Sequence, residues 1–353
     1  MEHQSRQTQF GIEGGKIMML ERQPRQPFRS LEIPLLALWY EAAYGNSGRT
    51  RLRKLACFVS RLTFRLFRKW IGAGSAGRFS CDLPQGAVAL EFDAKNTQFH
   101  SVYLRKFAKG YEPETSVLLD AFLGNSRVFW DVGSNWGHFS LYACSNCSFD
   151  GEVYAFEPVP GTFVDLSCIV KQAGLEARIH CQSFALGEKE STATVTLPDG
   201  VHSGMARLDA AGGGEGVPIR AADSLGIPDP DIIKLDVEGY EANMLRGAKE
   251  VLTRAKPVLI MESWLVNPEE TLEPLQLLEN CGYQLFHPVW MFECPLGRFY
   301  SRSHLMVPAH TRKGLALLPF KSAERGLFGE YINLFACHEQ RIPELGKLFA
   351  NAS

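Results

Sequence analysis

No apolar run in this sequence is long enough to cross a bilayer. The stretch 33–40 falls far short of the ~20 residues a spanning helix needs, and Pro34 interrupts it. The apolar core of a secretory leader is also missing, because residues 1–30 are polar and rich in Gln and Arg. An excess of one charge is absent too: 37 Lys and Arg stand against 39 Asp and Glu, for a net charge of -2. This excludes a protein that is basic throughout and coats nucleic acid, and no nucleic-acid partner is expected. Internal repeats are lacking. The nine cysteines are odd in number and scattered in spacing, so a reduced, cytoplasmic protein is expected rather than a disulfide framework. Cys144-Ser-Asn-Cys147 has no second pair to complete a four-ligand zinc site, and no metal is expected.

What remains is a globular composition, 45% apolar and 22% charged. The 353 residues suffice for one large domain with extensions. Residues 1–30 lack apolar periodicity and are expected to form a flexible arm. Residues 31–76 are expected to be a helical extension. Its clearest pattern is 49–70, which holds eight basic residues and no acid. At about 100° per residue, Leu52, Leu55, Val59, Leu62, Leu66 and Trp70 fall on one side of a helix. Lys54, Arg61, Arg65, Arg68 and Lys69 fall on the other. Such a helix can lie on an anionic membrane surface, so peripheral contact through 49–70 is one option. The commoner use of the pattern is to dock the apolar side on a domain and show the charges to water.

From residue 127 onward, short apolar runs alternate with helical patterns. Strands are expected over 127–131, 152–157, 177–181, 231–236, 257–262 and 283–287. Helices are expected over 137–144, 160–173, 241–254 and 269–281. Strict alternation implies an α/β fold with a doubly wound, mostly parallel sheet. Short strands at 192–197 and 217–220 read as an insertion above the carboxyl edge, where such sheets bind ligands.

Four of the strand ends carry acids: Asp131, Glu157, Asp236 and Glu262. The first turn, Asp131-Val-Gly133-Ser134-Asn135-Trp-Gly137, has glycines where the chain must turn tightly or meet a ligand, and Asn135 tolerates a left-handed backbone. Glu157 can accept both hydroxyl protons of an adenosine ribose and would repel a 2'-phosphate. Turn and acid together leave NAD and S-adenosylmethionine open. Lys234 and Asp236 share a face of the fourth strand. An ammonium in a central strand needs a partner, and Glu262 on the next strand is the expected one.

The runs at 128–137, 155–158 (Ala-Phe-Glu-Pro), 185–187 (Ala-Leu-Gly), 223–225 (Asp-Ser-Leu) and 233–241 (Ile-Lys-Leu-Asp-Val-Glu-Gly-Tyr-Glu) resemble the FkbM family of S-adenosylmethionine-dependent methyltransferases. The likeness covers roughly 96–307 and omits the arm and basic helix. It implies a Rossmann-like class I methyltransferase core of seven strands, the seventh antiparallel. It also implies S-adenosyl-L-methionine as cofactor and O-methylation, commonly of a sugar or natural-product hydroxyl. By position, Asp131, Gly133, Ser134, Asn135 and Gly137 would hold the methionine part. Glu157, followed by Pro158, would hold the ribose. Ser183, Phe184 and Ala185 would border the adenine, and Asp236 would stand between cofactor and acceptor. Ser134 replaces the family's usual alanine, and Trp136 is bulkier than usual and is expected to shape the entrance.

Methyl transfer from a sulfonium needs alignment above all, and a hydroxyl nucleophile also benefits from a general base. The candidates are Asp236, Glu238, Glu241 and His202, with Asp236 best placed. Asp236 and Glu238 holding a divalent cation is the alternative. The expected acceptor is a small molecule or glycan. The competing functions are an NAD-dependent oxidoreductase and a non-catalytic membrane-associated module. The expected division is an arm at 1–30, the extension at 31–76, a methyltransferase domain at 77–340 and a tail at 341–353.

Overall fold

Each apolar run is short and ends where a glycine, a proline or an acid stops the pairing. That punctuation shapes the computed structural model, which describes residues 18–45, 51–67, 74–107, 110–196, 207–209, 216–294, 297–301 and 312–349. The amino-terminal part contains β1 (Met18–Leu20), β2 (Phe28–Glu32), α1 (Leu35–Tyr40), a π-helical turn at Glu41–Gly45 and α2 (Arg51–Phe67). β3 (Ala76–Leu83) and β4 (Gly86–Asp93) follow, then α3 (His100–Tyr103) and α4 (Pro113–Leu123).

This part corrects two expectations. Residues 18–32 are not a free arm, and 31–76 is not wholly helical. β2, β3 and β4 form an antiparallel sheet. The expected boundary at 76/77 falls inside β3. Composition misled here because a polar, Arg-rich segment can be held by a few specific contacts. Arg25 donates to the buried carboxylate of Asp120 at 2.8 Å, to Ser145 Oγ at 2.8 Å and to the Tyr142 carbonyl at 2.9 Å. Its guanidinium also lies 4.4 Å from the Tyr142 ring centroid. Phe28 joins a ring cluster with Phe79, Phe99 and Trp136, in which Phe99 stacks on Trp136 at 4.7 Å. Trp136 is therefore buried between the amino-terminal sheet and the core and donates to the Gln98 carbonyl, so it joins two layers rather than merely shaping an entrance. Burying one such ring is worth about 1.5–3 kcal/mol, which offsets the entropy of ordering the segment.

The core runs β5 (Val128–Val132), α5 (His138–Cys144), β6 (Glu152–Phe156), α6 (Pro160–Gln172) and β7 (Ile179–Gln182). The inserted part is β8 (Ala185–Gly187), β9 (Ser191–Thr196), β10 (Arg207–Asp209) and β11 (Gly216–Ala221), paired as a separate four-stranded sheet. Then come β12 (Ile232–Leu235), α7 (Glu241–Arg246), α8 (Lys249–Ala255), β13 (Val258–Trp264), α9 (Pro268–Asn280), β14 (Tyr283–Cys294), β15 (Gly297–Ser301), β16 (Arg312–Phe320), β17 (Tyr331–His338) and α10 (Ile342–Phe349). The single helix expected over 241–254 is two. Gly247 separates them, and a Cβ there would stand 1.8 Å from the Gly187 carbonyl oxygen.

The main sheet has the order β7-β6-β5-β12-β13-β17-β14-β16-β1, with β15 beside β14. β7 through β13 are parallel. β17 runs antiparallel to β13 and β14, and β16 and β1 extend the edge antiparallel. The sheet thus has ten strands among the described residues, not seven. Side chains alternate between its faces. Phe129, Ile232 and Ile260 face a core shared with α4, α5 and α6. Trp130, Ile233 and Leu259 face a second core with α7, α8 and α9. Among the described residues, no helix is long and apolar enough to cross a membrane.

Candidate active site

The carboxyl ends of β5, β6, β12 and β13 open into one cleft. The turn after β5 is held from below, since the amides of Gly133 and Ser134 both donate to the Phe156 carbonyl at 3.0 Å. Gly133 and Asn135 have φ of 79° and 50°. A Cβ at Gly133 would lie 1.8 Å from the Asp236 carbonyl oxygen, so only glycine lets the turn meet the exit of β12.

Glu157 is fixed by its neighbours' backbone. Its Oε2 accepts from the Asn135 amide at 3.0 Å and its Oε1 from the Val159 amide at 2.8 Å. Burial raises its carboxyl to about 7 despite these bonds. Pro158, Val159, Phe156, Ala185 and Leu186 line the cleft beside it. Deeper, three buried polar atoms lack a protein partner: Asp131 Oδ1, Ser134 Oγ and His138 Nδ1. The other Asp131 oxygen accepts from Ser140 Oγ at 2.7 Å. Burial pushes His138 down to about 3, so its ring is neutral.

Across the cleft stands a charged cluster. Lys234 is paired in register with Asp131 on the neighbouring strand, and its Nζ donates to Asp236 Oδ2 at 3.0 Å. The partner of Lys234 is therefore Asp236, with Asp131 and Glu112 adding attraction, and not Glu262. These carboxylates outweigh burial and raise the ammonium above its ordinary value. Glu262 instead accepts from Tyr331 Oη at 2.7 Å and Trp264 Nε1 at 3.3 Å. Its carboxyl is raised well above the usual range by burial and by the charges of Asp236 and Glu112. β17 runs between β13 and β14, and this topology brings Tyr331 to Glu262.

The expected site residues separate into groups. Gly133, Ser134, Asn135, Glu157, Pro158, Ala185, Asp236 and Glu238 line the cleft. Asp131 lies just beneath it. Gly137 is a packing position, where a Cβ would meet Leu166 at 2.7 Å. Ser183 is exposed, and Phe184 packs on Phe156 beneath the Arg220 guanidinium, so neither lines the cleft. Glu241 accepts from the Gly239 amide at 3.1 Å and faces the far side of that turn. His202 lies outside the described residues.

Glu112, Tyr111 and Glu262 also line the cleft. Glu112 was not anticipated as a site residue. It holds a left-handed backbone (φ 39°) immediately before Pro113 opens α4. An acid locked ahead of a helix-opening proline is its only local signal, and helix starts often use that pattern for capping alone. Burial raises its carboxyl, with Lys234 opposing.

A family model described as the methyltransferase FkbM domain matches residues 131–285, which span β5 to the start of β14. Residues 131–285 are an FkbM methyltransferase domain. The chain is 30% identical over 155 residues to the hexuronic acid methyltransferase AglP of Haloferax volcanii. That match covers 42% of this chain and 61% of AglP, so the chain spans about three-fifths of the relative's length. Among solved structures, it is similar to methyltransferase FkbM from Methylobacillus flagellatus, at 19% identity and TM-score 0.35, over 55% of this chain and 44% of that one. It is also similar to an O-methyltransferase from Thermotoga maritima, at 12% identity and TM-score 0.35, over 69% and 78% of the two chains. The FkbM domain contains every cleft residue named above except Tyr111 and Glu112, which lie before it.

Proposed function

We propose that this protein transfers a methyl group from S-adenosyl-L-methionine to a hydroxyl of a sugar-containing acceptor. The observation that carries the reading is Glu157, clamped by two backbone amides in the cleft of an FkbM domain and facing the Lys234–Asp236 pair. The cleft fits the cofactor. Glu157 keeps lone pairs for ribose hydroxyls. Phe156, Pro158 and Leu186 offer apolar surface to a purine. Ser134 Oγ, His138 Nδ1 and Asp131 Oδ1 are buried polar atoms that need partners, and an amino acid's ammonium and carboxylate supply them.

When bound, S-adenosylmethionine supplies a methyl group on a sulfonium that is already a good leaving group. The chain's residues do the rest. Lys234 holds the Asp236 side chain in place through its hydrogen bond to Oδ2, and Asp236 orients the acceptor hydroxyl. Glu112, whose carboxyl is raised toward neutrality, takes the hydroxyl proton, because a base works best when its pKa lies near the working pH. The sugar acceptor is supported by the name of the AglP relative. The test is incubation with labelled S-adenosylmethionine and a panel of neutral and uronic-acid-containing oligosaccharides, followed by detection of a labelled methyl ether. A failure of S-adenosylhomocysteine to bind by calorimetry would sink the reading at its first step.

A further inference from the structure

Beside the cleft lies a second hollow of about 360 Å³, within the range of ~300–1,000 Å³ usual for small-molecule sites. Glu238 and Glu262 line both, so the two adjoin. The second hollow is also lined by Trp264, Leu265 and Val266, which are 49%, 40% and 57% exposed. Single exposed apolar residues need no explanation, but three in succession beside a cleft do. Their backbone is firmly held. The Leu265 amide donates to the Glu330 carbonyl at 2.7 Å. Thr271 Oγ1 accepts from the Val266 amide and donates to the Trp264 carbonyl, both at 3.1 Å. The fully buried Arg325 donates to Ser263 Oγ at 2.8 Å and to the Gly329 carbonyl at 3.0 Å, tying β13 to the segment that enters β17. The apolar stretch is thus preorganised, and a ligand that settles on it meets little ordering cost.

The indole itself is oriented. Trp264 is paired in register with Tyr331 across the two strands, with ring centroids 4.7 Å apart. Its Nε1 donates to Glu262 Oε2 at 3.3 Å. These contacts set the nitrogen-bearing edge of the ring against a cleft carboxyl, while half of the side chain stays in water. An exposed indole face suits an apolar surface, and carboxyl oxygens beside it suit hydroxyl donors. A pyranose ring offers both at once, a face of C–H groups and a rim of hydroxyls. A lipid chain or a second copy of an apolar stretch would cover the indole and leave the carboxyls of Glu238 and Glu262 facing no donor from the ligand.

We propose that Trp264 is the stacking platform of a sugar subsite, on which a pyranose ring of the acceptor lies with its hydroxyls toward Glu238 and Glu262. The inference deepens the methyl-transfer reading and rests on it. The experiment is saturation-transfer NMR on the full chain with bound S-adenosylhomocysteine. The probes are the methyl β-glycosides of glucose, galactose, mannose and glucuronic acid, with tetramethylammonium as a cationic alternative. The expected result is saturation transfer to the ring C–H protons of at least one glycoside. Trp264→Ala, at a half-exposed position, should keep the wild-type circular dichroism and S-adenosylhomocysteine affinity but bind that glycoside about tenfold more weakly. Trp264→Phe keeps a ring and should stay within about threefold of wild type. No transfer to any glycoside, or equal binding by wild type and Trp264→Ala, would overturn the subsite and leave the methyl-transfer reading standing. Transfer to tetramethylammonium alone, lost in Trp264→Ala, would overturn it in favour of a cationic ligand. Failure of S-adenosylhomocysteine to bind, read separately by calorimetry, would instead remove the methyl-transfer reading and with it the acceptor role of the subsite.

Discussion

Lys234→Met is the substitution whose cost the structure specifies most fully. Lys234 is buried in the middle of the sheet, with its Nζ 3.0 Å from Asp236 Oδ2 and its strand in register with Asp131. Methionine fills a similar volume, so packing changes little. What changes is charge: Asp131, Asp236 and Glu112 lose their nearest cation in a low-dielectric setting. Removing one partner of a buried pair typically costs about 3–5 kcal/mol, mainly because the other partner is left charged and unpaired. That cost depends on pH. Without Lys234, the carboxyls that it now holds down, Asp131 and Glu112 among them, move further up. A carboxyl whose folded pKa is raised contributes stability that is present below its unfolded value and lost as pH rises through the folded value. The deficit should therefore be small near pH 5 and clearly larger at pH 8. Urea denaturation of both proteins at the two pH values measures it. A deficit below about 1 kcal/mol at pH 8, or one that is equal at both pH values, would refute the account of Lys234 as the buried counter-charge of the site.

Glu157→Gln should weaken S-adenosylhomocysteine binding by about ten- to a hundredfold in calorimetry, since hydrogen bonds to a charged acceptor are worth about 1.5–3 kcal/mol. Because burial raises Glu157 to about 7, wild-type affinity should climb between pH 6 and pH 8 as the carboxylate ionises, and the climb should vanish in the variant. Glu112→Gln should lower kcat by about 10²–10⁴ and remove the acidic limb of the pH–rate profile, while S-adenosylhomocysteine affinity stays within twofold of wild type; an intact limb would exclude Glu112 as the base. Gly133→Ala should abolish cofactor binding or folding, because its Cβ would overlap the Asp236 carbonyl, and near-normal binding would show that the turn can move. Trp136→Ala should destabilise the chain by about 3–5 kcal/mol in urea by opening a cavity between the amino-terminal sheet and the core.

The parallel half of the sheet was legible because its signals are local. Each short strand around Phe129, Tyr154 and Ile233, 4 or 5 residues long, closes on an acid or a glycine turn, and those closures place Asp131, Glu157 and Asp236 at one edge. The sequence by itself determined that edge, and with it the cleft-lining residues Gly133, Ser134, Asn135 and Glu157, since a strand end and its turn lie within a few residues of each other. Tertiary structure decided the rest. Glu112, Glu262 and Tyr331 meet although they are separated by up to 219 positions in the chain, because β17 returns between β13 and β14 and α4 packs against β12. Arg25 reads as part of a polar arm until Asp120, 95 residues away, accepts its guanidinium. The periodicity of α2 stated which residues share a side, but not which side the protein would bury. That choice belongs to Phe64 and to the ring cluster of Trp39, Tyr40 and Tyr44, while Val59 and Leu62 on the opposite side stay exposed.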